Sequence, residues 1–126
     1  MKRISPEEAH KKQSEGWTYV DVRTPEEFRE GRPTGAVNVP IALSQGGSMA
    51  PNPKFLETMQ AQFAKDAKII VGCKAGGRSL RAAQALEAAG YSNVLDQRAG
   101  FDGARDPFGQ IQEPGWSRVG LPIETG

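Results

Sequence analysis

The spacing of apolar residues changes period several times along the chain, and each change marks an element. Residues 5–16, SPEEAHKKQSEG, are largely polar, yet Ser5, Pro6 and Glu8 carry the start signal of a capped helix that ends at Gly16. The serine oxygen accepts from an amide three residues on, the glutamate reaches back, and proline occupies a position whose N–H lacks a partner anyway. WTYVDV, residues 17–22, is rich in aromatic and β-branched side chains and predicts a strand. Thr24, Pro25 and Glu27 then repeat the capping arrangement, and GAVNVP offers a brief strand stopped by Pro40. ALSQGGSMAPNP, residues 42–53, is rich in turn formers and reads as a surface loop. Asn52 is placed to cap a helix starting at Pro53, with Phe55, Leu56, Met59 and Phe63 as its apolar stripe. AKIIVGC follows as a buried strand. RSLRAAQALEAAG then predicts a helix with Leu80, Ala83 and Leu86 inward, Arg81, Gln84 and Glu87 outward, and Gly90 as its stop. SNVLD gives one more strand, and the remainder from Arg98 is rich in glycine and proline with little periodicity. Strands alternating with helices in this way predict an α/β fold whose parallel sheet is covered on both faces.

Length and charge narrow the possible functions. A chain of 126 residues suits one domain over 1–126 with one core and one site. The net charge of +1 is interspersed, without the basic stripe that tracks a phosphate backbone, so nucleic acid is not an expected partner. No apolar run approaches the ~20 residues of a membrane span, and MKRISPEEAHKK is too polar for a secretory signal; the expected compartment is the cytoplasm. One cysteine and one histidine can form neither an internal disulfide nor a thiol-rich metal site.

That cysteine, Cys73, stands where the buried strand gives way to the helix. In a parallel sheet, loops and unpaired helix amides meet at such junctions. Gly76 and Gly77 let the backbone curl until several N–H groups point at one spot, an anion cradle whose natural occupant is a negative sulfur. Lys74, Arg78 and Arg81 add cations in the loop and first helical turn. Cys73 is therefore the candidate nucleophile, reacting as its thiolate.

YVDVRTPEEFREG, GAVNVP, IIVGCKAGGRSLRAAQALEAAGYSNV and WSRVGLP, in this order and over nearly the whole chain, resemble the rhodanese family, specifically its single-domain members. The resemblance implies a central parallel sheet of about five strands with helices on both faces. It also implies sulfur transfer. Cys73 would attack the outer sulfur of a small anionic donor such as thiosulfate, or of a persulfide, hold it as a persulfide, and pass it to cyanide or a thiol acceptor. A sulfur-relay protein is a further partner the resemblance admits. Lys74, Ala75, Gly76, Gly77, Arg78 and Ser79 would hold the persulfide, with Arg78 closing the loop, and Asp21 and Arg23 would brace it. No cofactor and no metal are implied. Glu27 stands where two-domain relatives carry a donor-binding arginine, and Arg32 where related proteins often have histidine. About a dozen extra residues separate Phe101 from Trp116, a segment expected to cover one side of the pocket.

Two other readings use the same residues. Phosphatases and arsenate reductases set about five residues between cysteine and arginine, a wider ring suited to an oxyanion. Here four lie between Cys73 and Arg78, and Ser79 takes the place of the required arginine. A noncatalytic or carrier-type module that binds a partner protein is the other, since fold alone does not decide function.

Overall fold

In the computed structural model, which covers residues 1–126, the chain runs β1 (Lys2–Ile4), α1 (Pro6–Ser14), β2 (Thr18–Asp21), α2 (Pro25–Glu30), β3 (Arg32–Pro33), β4 (Val37–Asn38), β5 (Ala42–Gln45), β6 (Ser48–Pro51), α3 (Phe55–Gln62), β7 (Ile69–Gly72), α4 (Gly77–Ala88), β8 (Val94–Gln97), β9 (Gly103–Arg105), β10 (Ile111–Pro114) and β11 (Ile123–Glu124). Five of these strands form one parallel sheet in the order β1-β8-β7-β2-β4. β7, the strand that leads into Cys73, lies at its centre. Alternation along the strands sends Val20, Val22, Ile69 and Val71 to one face, where Phe55 and Met59 of α3 and Ala82, Ala83 and Leu86 of α4 cover them. Tyr19 and Ile70 face the other way, onto Ile4, Ala9 of α1, Ala36 and Trp116. Both faces of β7 are thus sealed, which accounts for its unbroken apolar run.

Both predicted capping boxes form, at Ser5 with Glu8 and at Thr24 with Glu27. Gly90 takes φ +97 just beyond α4 and its amide closes on Glu87, the helix stop that the sequence predicts. Elsewhere the structure departs from expectation. Residues 42–51 are not an open loop but an antiparallel hairpin, turned by Gly46 and Gly47, both at positive φ. Asn52 does not cap α3. It accepts from the Lys54 amide and donates to Pro40 O, so the helix starts only at Phe55, without a side-chain cap. On α4 the buried stripe is Ser79, Ala82, Ala83 and Leu86, with Leu80 only half buried, because the small residues let the helix sit close on the sheet. The C-terminal stretch holds the β9–β10 hairpin, a single 3-10 turn at Trp116–Arg118, and β11 paired with β3.

Candidate active site

β7 ends at Gly72 and delivers Cys73 to the foot of α4, with its side chain 2% exposed. The Gly76 amide donates to Cys73 Sγ at 3.1 Å, and Ser79 Oγ lies 3.5 Å from the same sulfur while donating to Gly76 O. The loop 73–76 is therefore wound back on the sulfur just ahead of the α4 N-terminus, where the first helical amides lack partners within the helix. Gly76 makes this path possible. Its φ of +102 suits glycine, and a Cβ there would collide with the Arg98 carbonyl oxygen. Gly77 has no comparable constraint, since a Cβ there meets nothing within 4 Å.

None of the three cations expected around the sulfur hydrogen-bonds to it. The Arg78 guanidinium is held bidentately by Glu27, at 2.7 and 3.0 Å, and makes no hydrogen bond to Cys73, though it lies within Coulomb range of it. Burial alone would raise the Glu27 carboxyl, but hydrogen bonds from Arg78 and from the Thr24 amide and hydroxyl outweigh it and hold the carboxyl down at about 2. Arg81 lines an apolar groove beside the β5–β6 hairpin. Lys74 is exposed and borders a cleft of about 300 Å³ formed with Arg23, Glu27, Glu30, Gly31, Phe101, Asp102 and Ser117. The hydrogen bond that the sulfur accepts thus comes from a backbone amide, while its thiol faces Ser79 Oγ as donor.

Asp21 and Arg23 lie below the cleft as a buried pair. Arg23 Nη2 donates to Asp21 Oδ2 at 2.7 Å and to Gly31 O at 2.6 Å, and its guanidinium stacks over Phe101 at 4.6 Å. Their geometry is that of a brace between β2, the end of α2 and the segment after β8.

The comparisons agree with this architecture. The family model described as Rhodanese-like domain matches residues 5–106. The chain belongs to the rhodanese family. It is 39% identical over 122 residues to Thiosulfate sulfurtransferase 16, chloroplastic, of Arabidopsis thaliana, covering 97% of this chain and 92% of that protein. It is 43% identical over 86 residues to Senescence-associated protein DIN1 of Raphanus sativus, covering 68% of this chain and 47% of that protein. The solved structure of Rv0390 from M. tuberculosis superposes with a TM-score of 0.83 at 30% identity, covering 100% of this chain and 98% of that one.

Several residues around this rhodanese loop were not predicted from sequence. Arg3 of β1 donates from Nε to Asp96 Oδ2 at 2.7 Å and from Nη2 to Gly76 O at 3.1 Å, tying an edge strand to the cradle. Asp96 is fully buried, and its Oδ1 has no partner. The amide of Phe101 donates to Cys73 O at 2.7 Å, and that of Asp102 to Lys74 O at 3.0 Å. Gly100, at φ +70, packs against those carbonyls where no side chain fits. The extra segment does not cover the pocket. Only Phe101 and Asp102 at its start and Ser117 beyond it line the cleft, while the β9–β10 hairpin stands to the side, fixed by Arg98 to Glu113 and by Arg105 to Asp102. Arg32 does not border the cleft; it stacks on Phe28 and pairs with Glu124.

Proposed function

We propose that this rhodanese domain is a sulfurtransferase that carries sulfane sulfur on Cys73. The thiolate attacks the outer sulfur of thiosulfate, the S–S bond breaks, and sulfite leaves with the electron pair. From a persulfide donor the same attack releases a thiolate. The Cys73 persulfide is then attacked at its outer sulfur by cyanide or a thiol, which restores the thiolate. Dividing one transfer into two displacements is ordinary nucleophilic catalysis and needs no metal or redox cofactor. The observation that carries this reading is the Gly76 amide aimed at Cys73 Sγ at 3.1 Å, in a loop whose left-handed glycine cannot be replaced without a backbone collision. Backbone N–H groups fixed before the reaction stabilise negative sulfur without reorganising. The relative named Thiosulfate sulfurtransferase 16, at 39% identity, supports the same chemistry.

Intact mass after thiosulfate alone, with thiocyanate release on adding cyanide, tests the proposal. Wild type gains one sulfur atom and turns over, and Cys73→Ser does neither while remaining folded. A mass gain without turnover on cyanide or small thiols would make the domain a carrier that serves a dedicated protein acceptor. Folded wild type that never gains sulfur, from thiosulfate or a persulfide, would overturn the proposal.

A further inference from the structure

The cleft beside Cys73 has its charges matched almost one for one. Arg23 is paired with Asp21, and Asp102 sits between Arg105 and Arg118. Arg78, the arginine at the first turn of the loop-bearing helix, is gripped by both oxygens of Glu27. Glu27 cannot readily release it, because its Oε1 also accepts from the Thr24 amide and hydroxyl, each at 3.1 Å, as the N3 member of the α2 capping box. With its carboxyl held at about 2, Glu27 stays charged throughout the working pH range. The cleft residues left outside every ion pair are Lys74 and Glu30, which are of opposite sign.

The attacking sulfur is itself negative. A dianion entering this cleft meets a thiolate, and the one surplus positive charge, from Arg105 and Arg118 around Asp102, sits on residues that do not line it, whereas a donor bearing one charge or none meets little opposition. We propose that Glu27 is a specificity-determining residue: by neutralising Arg78 it disfavours dianionic donors such as thiosulfate and favours low-charge persulfides of small thiols. This rests on the sulfur-transfer reading and names the donor class for the same site. In the favoured step the Cys73 thiolate attacks the terminal sulfur of R–S–SH. The Sγ–S bond forms as the donor S–S bond breaks, the proton stays on the transferred sulfur, and R–S⁻ leaves with the electron pair.

The test is single-turnover loading of Cys73, followed by intact mass, with thiosulfate and with cysteine persulfide in parallel. Glu27→Gln removes the charge while keeping a side chain that capping boxes accept. The thiosulfate-to-persulfide ratio of loading rates should rise about tenfold, the effect of one unit charge on a dianion at ~6 Å in a water-like dielectric. A variant that merely misplaces the loop slows both donors and leaves the ratio alone, which would overturn the inference. Wild type offers a second reading that needs no substitution. As salt rises from ~0.01 to ~0.5 M, thiosulfate loading should speed up as repulsion is screened, and slowing would count against Glu27. If neither donor loads wild type, the sulfur-transfer reading falls and this inference with it. If both load and the ratio stays fixed, only the role of Glu27 is lost.

Discussion

Two adjacent glycines in the loop do different work, and single substitutions separate them. At Gly76 a side chain meets the Arg98 carbonyl, and the backbone is left-handed. Gly76→Ala should therefore cost about 2 kcal/mol or more of stability and slow sulfur loading of Cys73 at least tenfold, since the amide that reaches Sγ moves with the loop. Gly77 opens α4 with open space around it. Gly77→Ala should leave stability within about 0.5 kcal/mol or raise it slightly, because alanine is the better helix former. Urea unfolding and mass-detected loading on both variants check the contrast, and equal effects at both positions would contradict it. The Asp21–Arg23 pair poses the opposite problem, a bond whose value lies in not being broken. Asp21→Ala leaves a buried guanidinium without its carboxylate and should cost about 3–5 kcal/mol. Arg23 would keep Gly31 O as a partner but lose its countercharge.

Among the elements, those with strong local signals were legible and those made by distant pairing were not. Cys73, its loop and α4 announce themselves because an apolar run, two glycines and a helical period are contiguous. The capping boxes at Ser5 and Thr24 were readable for the same reason. β1 has only three residues, Lys2–Ile4, too few to show a period, and it is a strand because β8 offers it an edge. The β5–β6 hairpin did carry a signal, Gly-Gly between two four-residue runs, but those runs lack the β-branched residues that would have outweighed the turn formers. Glu27 was visible as a capping residue, yet its grip on Arg78 spans 51 positions and belongs to the fold alone. β1 was missed as an element and with it Arg3, whose two bonds join Asp96 to the cradle. Arg3→Met keeps the apolar stem but leaves buried Asp96 with no partner on either oxygen. A loss of about 2–3 kcal/mol is expected, with slower loading. Adding Asp96→Leu should restore part of the stability and none of the loading rate. That pattern, read by urea unfolding beside single-turnover mass measurements, separates a role in shaping the cradle from one in holding the sheet.

On the scale of the whole molecule, the carboxylate that tunes the cleft also links α2 to α4, so stability and donor preference share one titrating group. Glu27 has its carboxyl depressed from an ordinary 4.5 to about 2, through Arg78 and Thr24 acting against burial. A depressed carboxyl contributes stability that is fully present above the unfolded value and is lost as pH falls through the folded one. Its contribution should therefore be complete above about pH 4.5, decline between 4.5 and 2, and vanish below. The pair is partly open to solvent, with side-chain exposures of 15% for Arg78 and 24% for Glu27, so screening brings the expected contribution to on the order of 2 kcal/mol. Asp102, also depressed despite burial by its bonds to Arg105 and Arg118, adds a loss of the same sign. Denaturant unfolding of wild type and Glu27→Gln between pH 7 and pH 2.5 isolates the Glu27 part, because every other acid titration is common to both. Wild type should be more stable at neutral pH, and the gap should close on the acid side alone. A gap that stays constant would mean that the Glu27→Gln substitution disturbs packing rather than charge, and one that widens toward low pH would contradict the ion pair itself.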